Sequence, residues 1–306
     1  MLRSVILAAA RSSRLERLVA TAPISRDVVR RFVAGTTAAD ALRVTRALVD
    51  DGLTVSLDHL GEDTHSPADA ARAREEYVAL LAAAAEAGLT PAVEASLKLS
   101  ALGLRLDEQL AADHAAAVCA AAVAAGTTVT LDMEDHTTTD ATCEILTKLR
   151  QDFPATGVAL QAYLRRTEAD CRDLAGAGAR VRLCKGAYAE PESVAYQSKL
   201  EVDRSFVRCL NVLMSGNGYP MLATHDPRLV AIGEDRAKWF DRTADQFEFQ
   251  MLYGVRPAEQ LRLAAEGYAV RVYVPYGTQW YPYLMRRLAE RPANLAFFAR
   301  AIQSRG

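Results

Sequence analysis

Two adjacent arginines, Arg286 and Arg287, lie near the C-terminus among several tyrosines. A short apolar strand is predicted to end in the turn around Gly277, and the helix that follows carries both arginines. Two guanidinium groups at one spot can bind a carboxylate bidentately. The rings of Tyr273 and Tyr283 could then pack against the apolar part of the ligand that carries this carboxylate. The alternative is a solvated helix face, which is the usual environment of an Arg-Arg pair. The position directly after the last predicted strand favours the anion site.

Polar side chains also end the other apolar segments of the chain. An ordinary strand end carries Asn, Gly or Ser in a turn, so one chargeable end means little. Strand ends that converge on one mouth of a barrel predict a site, because (β/α)₈ enzymes build their active sites there. The residues that the eight predicted strands bring to this mouth are Asp58, Glu62, Lys98, Asp132, Glu134, Asp135, Gln161, Tyr163, Arg182, Lys185, Tyr188, Thr224, His225, Asp226, Glu248, Gln250, Leu252 and Tyr273.

Several of these residues have two interpretations. Lys98 stands between leucines and is either a snorkelling lysine or a Schiff-base lysine. His225 is either a plain histidine near a helix start or a ligand-binding residue. The acidic residues 132–136 suggest a metal cluster, but successive strand residues face opposite ways, so no bound metal is expected. The stretch around Gly186 offers two cations and backbone N–H groups, which suit a phosphate or pyrophosphate.

The elements that must position these residues repeat along the chain. After Gly52, eight short apolar segments recur, each followed by a helical stretch. This predicts a (β/α)₈ barrel over residues 51–306, preceded by a helical segment over residues 1–50. The alternative is an open doubly wound sheet, but its glycine-rich phosphate loop is missing after the first strand. The predicted strands are Leu53–Asp58, Ala92–Lys98, Thr127–Asp132, Gly157–Tyr163, Ala179–Cys184, Tyr219–Thr224, Gln246–Gln250 and Tyr268–Val274.

The composition is that of an ordinary globular chain. The 306 residues have a formal charge of −2 and no basic tract, which argues against a dedicated nucleic-acid binder. The five cysteines are spread without a C-x-x-C pair, which indicates reduced thiols in the cytoplasm. No apolar run is long enough for a spanning helix, and the first one is too short for a signal peptide.

The strand-end motifs together resemble the proline dehydrogenase family in its short bacterial, single-activity form. The resemblance implies a distorted (β/α)₈ TIM-like barrel with extra N-terminal helices and the eighth helix over the barrel mouth. It also implies non-covalent FAD. It covers roughly residues 50–300 and rests on residues 57–62, 96–103, 131–135, 160–163, 182–188, 223–226, 247–250 and 273–294.

The activity that this resemblance implies is oxidation of L-proline to Δ1-pyrroline-5-carboxylate. A hydride leaves ring carbon C5 for flavin N5, and the electrons pass to a membrane quinone. The residue chemistry is consistent with this, since a zwitterion with an apolar ring needs cations and an apolar wall. Hydride transfer depends mostly on positioning. The implied substrate-binding residues are Lys98, Tyr188, Leu252, Tyr273, Tyr283, Arg286 and Arg287. Those implied to act in catalysis are Lys98, Asp132, Arg182, Tyr273, Arg286 and Arg287.

The family pattern also implies which residues surround the flavin. It places Arg182 near N5, with Gln161 and Asp132 near the isoalloxazine. Asp58 is implied as a partner of Lys98, and a Glu62–Arg286 pair as a gate over bound substrate. The ribityl, pyrophosphate and adenosine portions are assigned to Lys185, Gly186, Thr224, His225 and Glu290. The further cofactor contacts implied are Met133, Ala187, Tyr188 and Gln250.

Two positions depart from the family pattern. Cys184 stands where an aliphatic residue is common, and Ala189 stands where some members have an aromatic residue beside the adenine. From its length, the chain is expected to lack the aldehyde dehydrogenase domain of bifunctional relatives. A separate pyrroline-5-carboxylate dehydrogenase is therefore expected downstream.

Residues 2–20 combine an apolar set at helical spacing with Arg3, Arg11, Arg14 and Arg17. This pattern predicts a peripheral membrane contact at the inner face of the cell membrane, or a helix packed on the barrel. A different function class stays open from the residues alone. In the same barrel, a lyase or aldolase could form a Schiff base on Lys98 or Lys185.

Overall fold

The computed structural model describes residues 29–61 and 64–290, with side chains described as far as Arg287. In this part of the chain, eight parallel strands close into a barrel in sequence order, and the last pairs with the first. The prediction of a (β/α)₈ barrel is confirmed, and each predicted strand agrees with the structure to within two residues at either end. The strands are β1 (Thr54–His59), β2 (Val93–Leu97), β3 (Val129–Leu131), β4 (Gly157–Gln161), β5 (Arg180–Cys184), β6 (Tyr219–Ala223), β7 (Glu248–Leu252) and β8 (Ala269–Tyr276).

Helices connect the strands, and several begin where the sequence offers an N-cap. The side chains of Ser66, Asp107, Ser198 and Asp226 each accept a hydrogen bond from a backbone N–H in the first turn. The helices are α1 (Ala38–Asp50), α2 (Pro67–Glu86), α3 (Glu108–Ala124), α4 (Thr139–Asp152), α5 (Thr167–Asp173), α6 (Lys199–Ser215), α7 (Pro227–Trp239), α8 (Pro257–Ala265) and α9 (Trp280–Glu290).

Most of the strands alternate between apolar and polar residues, and both sets are largely buried. On β2, for example, Val93, Ala95 and Leu97 alternate with Glu94 and Ser96, and all five are almost inaccessible. The apolar set packs against the surrounding helices. The polar set meets inside the barrel, where side chains of different strands bond to one another. The barrel interior is therefore a polar, charged core inside an apolar shell.

The N-terminal part that the structure describes is attached to the last strand. The N–H of Ala34 donates to the carbonyl of Pro275 at 2.9 Å, and the N–H of Gly277 donates to the carbonyl of Gly35 at 3.0 Å. Next, α1 begins with a capping box of Thr37 and Asp40 and packs on β1 and β8. A helix before the barrel is thus observed, whereas the boundary after residue 50 stays a prediction and residues 1–28 lie outside the described part.

The last described helix, α9, lies over the barrel mouth. Tyr281, Leu284 and Met285 pack with Phe32 and Leu60 in a separate apolar cluster. This cluster leaves the following turn of α9 above the strand ends, as the sequence predicted. Among the helices of residues 29–61 and 64–290, none is long and apolar enough to cross a membrane.

Candidate active site

A cavity of about 740 Å³ opens at the C-terminal ends of the strands, beneath α9. Eighteen of the predicted residues line this cavity, counting Asp58, the predicted partner of Lys98. They come from the strand ends, the loops that follow the strands, and α9. They are Asp58, Lys98, Asp132, Met133, Gln161, Arg182, Lys185, Gly186, Ala187, Tyr188, Thr224, His225, Gln250, Leu252, Tyr273, Tyr283, Arg286 and Arg287. The gate residue Glu62 and the side chain of Glu290 lie outside the described residues, so both assignments stay predictions.

Lys98 forms an ion pair at the floor of the cavity. Its Nζ lies 2.5 Å from Asp58 Oδ1 and 3.7 Å from Asp132 Oδ2, and the side chain is almost completely buried. Burial raises the pKa of Asp58, and the Lys98 charge partly offsets this effect. The Lys98 ammonium is also 3.4 Å from the Tyr273 hydroxyl. The pair therefore places one cation at the ends of β1 and β2, held by two carboxylates.

Tyr273 on β8 joins this group through its hydroxyl, which donates to Asp132 Oδ2 at 2.6 Å. Burial raises the pKa of Tyr273 well above its usual value, and the nearby charges of Asp132 and Asp58 add to the effect. The hydroxyl therefore stays protonated and keeps its role as donor. Its ring lies over the Arg182 guanidinium, with Cζ 5.4 Å from the ring centroid, which is a cation–π arrangement.

Arg182 on β5 uses all five of its N–H groups on the protein. Nε donates to Gln250 Oε1 at 2.6 Å. Nη1 donates to Ser96 Oγ at 2.7 Å and to Asp132 Oδ1 at 2.6 Å. Nη2 donates to Ser56 Oγ and to Glu94 Oε1, both at 3.2 Å. A guanidinium with every donor satisfied is fixed in position and acts on the cavity mainly through its charge.

Below Arg182, the barrel contains a charged layer that the sequence reasoning missed, apart from Glu248. It consists of Glu94, Arg180, Glu248 and Arg271, with Glu94 and Glu248 at most 2% exposed. The signal was present, because polar residues alternate with apolar ones along β2, β5, β7 and β8. The sequence prediction considered the residues that end each strand, whereas Glu94, Arg180 and Arg271 lie two or four positions before the site residues predicted on the same strands.

The far end of the cavity is rich in cations. Lys185 Nζ lies 2.6 Å from Asp203 Oδ1 and 3.0 Å from Asp226 Oδ2, and the same two carboxylates also pair with Lys199 and Arg228. Burial would raise the pKa of Asp226, but hydrogen bonds from Arg228 and Lys185 hold it well below its usual value. Three cations against two carboxylates leave an excess of positive charge, which suits an anionic group. The sequence reasoning missed Lys199, Asp203 and Arg228.

Histidine at position 225 has a defined hydrogen bond. The backbone N–H of Leu252 donates to His225 Nε2 at 2.8 Å, so this ring nitrogen is an acceptor. The carbonyl of His225 accepts from Arg256 Nη1 at 2.9 Å. These bonds attach the β6 end to the β7 end, and they identify Arg256 as a further cavity residue that the sequence did not indicate.

The loop after β5 turns at Gly186, which has φ of +104°. A Cβ at this position would overlap the ring of Tyr163, so the close approach requires glycine. The Tyr163 hydroxyl donates to Glu190 Oε1 at 3.2 Å, and the backbone N–H of His136 donates to the same oxygen at 3.0 Å. These contacts fix the loop that carries Lys185 along the cavity wall.

Gln161, at the end of β4, has an orphaned acceptor beside the cavity. Its Nε2 donates to the carbonyls of Met133 and Glu134 at 2.9 and 3.1 Å, while its buried Oε1 has no partner among the described residues. A buried carbonyl oxygen without a donor is costly, so it favours a ligand with an N–H group.

The acidic stretch after β3 is committed to other contacts. The carboxylate of Glu134 accepts from the N–H of Ser100 at 2.9 Å, and Asp135 caps the short helical turn that follows it. Within the described residues, no group of three or more His, Cys, Asp or Glu is arranged to hold a metal ion.

Comparison with known proteins shows which family the chain belongs to. The sequence profile of the family described as "Proline dehydrogenase" matches residues 41–300. The chain belongs to the proline dehydrogenase family. It is 42% identical over 303 residues to "Proline dehydrogenase 1" of Bacillus subtilis strain 168, covering 99% of both chains. It is 41% identical over 280 residues to "Proline dehydrogenase" of Deinococcus radiodurans, covering 89% of this chain and 88% of that protein.

The fold agrees with solved structures of larger relatives. A crystal structure of proline utilization A from Bdellovibrio bacteriovorus, inactivated by N-propargylglycine, superimposes with a TM-score of 0.82 at 25% identity. It covers 92% of this chain, and this chain spans 34% of that protein. The bifunctional protein PutA of Escherichia coli is 28% identical over 317 residues, which cover 88% of this chain and 24% of that protein. This proline dehydrogenase family member thus corresponds in length to the single-activity relatives.

Proposed function

We propose that this enzyme oxidises L-proline to Δ1-pyrroline-5-carboxylate with non-covalently bound FAD, and that the electrons pass to a membrane quinone. The observation that carries the proposal is a single cavity with a cationic helix above it and a cationic end at Lys185. One cationic region suits a carboxylate and the other a pyrophosphate. The choice of proline as the substrate is supported by the names of the Bacillus and Deinococcus relatives, which are proline dehydrogenases.

The residues present fit a flavin dinucleotide. The cavity volume of about 740 Å³ lies within the usual range for ligand sites, roughly 300–1,000 Å³. Gln161 Oε1 offers an unused acceptor for a ring N–H, and Lys185 with its neighbouring cations suits the pyrophosphate. FAD would supply the hydride acceptor. We further assign Asp132, Met133, Arg182 and Gln250 to the isoalloxazine region. The ribityl, pyrophosphate and adenosine regions are assigned to Lys185, Gly186, Ala187, Tyr188, Thr224, His225 and Glu290.

The protein's contribution to the reaction is to bind and orient the substrate. Arg286 and Arg287 approach the cavity from α9 and would hold the proline carboxylate, with the Lys98 ammonium as a third cation below. Tyr273, with its hydroxyl fixed on Asp132, would wall the ring. The other wall residues are Tyr188, Leu252 and Tyr283. A Glu62–Arg286 gate that closes over the substrate would exclude water.

Attachment of the flavin without a covalent bond is supported by the state of Cys184. Of the five cysteines, all within the described part of the chain, Cys184 lines the cavity. Burial raises the pKa of its thiol to about 11, so the nucleophilic thiolate is scarce at neutral pH. Treatment with acid should therefore release all the yellow colour into the supernatant, and colour in the pellet would contradict non-covalent binding.

Two partners follow from the chemistry. Electrons must leave the flavin after each turnover, and we propose that a quinone in the membrane accepts them. The protein would reach the membrane from the cytoplasm through a peripheral contact of residues 2–20. These residues lie outside the described part. The product would pass to a separate pyrroline-5-carboxylate dehydrogenase, since this chain matches the single-activity relatives over nearly their full length.

A Schiff-base lyase is less well supported by the geometry. The reactive form of a Schiff-base lysine is a neutral amine, whereas Lys98 lies 2.5 Å from Asp58. Lys185 is likewise enclosed by two carboxylates.

The experiment that tests the proposal is a visible spectrum of the purified full-length protein, before and after anaerobic addition of L-proline. A flavin spectrum that bleaches on addition supports the oxidation. A colourless protein that borohydride traps covalently with substrate would instead establish the lyase.

A further inference from the structure

Glu94 on β2 lies below the cavity and has no role in binding proline or FAD in the proposed function. Its side chain is 1% exposed, and it does not line the cavity. It contacts the lower edge of the Arg182 guanidinium, whereas Asp132 contacts the upper edge at the cavity floor. Arg182 therefore bridges the cavity floor and the charged layer beneath it.

Both oxygens of Glu94 are used. Oε1 accepts from Ser56 Oγ at 2.6 Å, from Thr130 Oγ1 at 3.1 Å and from Arg182 Nη2 at 3.2 Å. Oε2 accepts from Arg180 Nη2 at 2.9 Å. Ser56 also accepts from Arg182, so the serine donates to the carboxylate and receives from the guanidinium. This arrangement requires an ionised carboxylate at position 94 and holds Arg182 at one edge.

The charges below the cavity are not balanced evenly. Glu94 and Glu248 face three guanidiniums, those of Arg180, Arg182 and Arg271. Burial opposes ionisation of Glu94, but the charges of the three arginines outweigh it and lower its pKa to about 2. At neutral pH this carboxylate is therefore a permanent negative charge directly under Arg182.

We propose that Glu94 is a positioning residue for Arg182, which fixes the guanidinium and offsets part of its positive charge at the cavity. The proposal rests on the proposed function, because its consequence is a lower midpoint potential of the bound flavin. Charges interact strongly in a buried, weakly polar interior. A reduced flavin carries more negative charge than an oxidised one. An Arg182 without its counter-charge would therefore favour the reduced form.

The test is the midpoint potential of the flavin in the purified holoenzyme, measured against a redox dye. Glu94→Gln keeps the shape and one acceptor oxygen but removes the charge, so the potential should shift to more positive values. Arg180→Gln removes one positive charge that binds Glu94 and does not line the cavity, so the shift should be negative. The double variant restores the charge balance and should return towards the wild type.

The control is Glu168→Gln, which removes a carboxylate that pairs with Arg172 and Arg208 at the protein surface. Its potential should equal that of the wild type, because solvent screens these charges. If Glu94→Gln does not fold, the negative shift of Arg180→Gln decides, since that side chain is only partly buried.

Three results would overturn the proposal. The first is an unchanged potential in folded Glu94→Gln, and the second is an unchanged potential in Arg180→Gln. The third is a shift in the double variant as large as in Glu94→Gln, which would show that charge balance is not the cause. If any of these results occurs while the wild type binds FAD and its flavin bleaches on addition of proline, the proposed function still holds. A wild type that takes up no FAD would overturn both.

Discussion

The Tyr273 hydroxyl donates a 2.6 Å hydrogen bond to Asp132 Oδ2, the oxygen of Asp132 opposite the one that Arg182 binds. Asp132 therefore holds both the ring of Tyr273 and the guanidinium of Arg182, which lie in cation–π contact with each other. The ring is a fixed part of the cavity wall, because it cannot swing aside without breaking the hydrogen bond to Asp132 and the contact with Arg182.

A fixed ring at this place leads to a prediction about substrate selectivity. Tyr273→Ser should lower kcat/KM for proline and raise the turnover of 4-hydroxyproline relative to proline, because the ring leaves little space beside the pyrrolidine. The effect should be about 1–3 kcal/mol, since packing and one steric clash are involved. Steady-state kinetics with both substrates measure it.

The matched control for this prediction is Tyr273→Phe, which removes the hydroxyl and keeps the ring. The ratio of the two substrates should stay near the wild-type value. An equal loss for both substrates in Tyr273→Ser would show that Tyr273 does not determine selectivity.

The two arginines of α9 give a second prediction. Arg286→Met and Arg287→Met should each raise KM for proline about ten- to a hundredfold, while the FAD content changes little. The reason is that a charge-assisted hydrogen bond to a carboxylate contributes about 1.5–3 kcal/mol. Arg208→Met on α6, which pairs with Glu168 away from the cavity, is the control. Near-normal KM in both α9 variants would remove the carboxylate clamp.

The sequence predicted the barrel well because strand periodicity and helix exits recur along the chain. Each strand was located to within two residues, and the motif ends such as Lys98 and Arg182 line one cavity. Parallel strands in a closed barrel all end at one mouth, so residues near the strand ends come together there, although their roles stay predictions.

The contacts between these residues could not be read from the sequence. Arg182 satisfies its donors on side chains of β1, β2, β7 and the residue that follows β3, and this depends on strand register and barrel closure. The charges of Glu94 and Arg271 are separated by well over a hundred residues, and sequence spacing says nothing about such a pair. Lys199 and Asp203 lie on a helix, where charged residues at this spacing usually form a solvated face.

The buried pair of Asp58 and Lys98 gives a third prediction, on stability. Asp58→Asn or Lys98→Met alone should each lower the free energy of unfolding by about 3–5 kcal/mol, because each takes away the nearest partner of a buried charge. The double variant should lose much less than the sum. Urea unfolding of the four proteins measures the coupling. Additive losses would mean that the two charges are screened from each other by other partners.

Gly186 gives a fourth prediction, on cofactor binding. Gly186→Ala places a Cβ against the buried ring of Tyr163, so the loop carrying Lys185 must move and FAD should bind more weakly. The matched control is Gly267→Ala, which has φ of +90° and no atom within 4 Å of its Cβ. It should cost about 1–2 kcal/mol of stability from backbone strain and leave FAD affinity unchanged. Titration of the apoprotein with FAD separates the two effects, and equal affinities would exclude the steric role.

The ionised state of Glu94 gives a fifth prediction, on pH. Its pKa in the folded protein is about 2, below the ordinary value of 4.5, so its charge stabilises the fold above pH 4.5. This stabilisation must be lost as pH falls towards 2, because protonation then makes the side chain resemble glutamine. Between pH 5 and pH 3 the stability difference between wild type and Glu94→Gln should therefore shrink by about 2 kcal/mol.

Urea unfolding of both proteins at each pH measures this difference, and the comparison cancels every other carboxylate that the two proteins share. The difference between wild type and Glu168→Gln should change far less over the same range, because the Glu168 ion pairs are exposed to solvent. A wild-type advantage over Glu94→Gln that stays constant from pH 5 to pH 3 would mean that Glu94 is not held ionised by its arginines. The electrostatic basis for its action on Arg182 would then be lost as well.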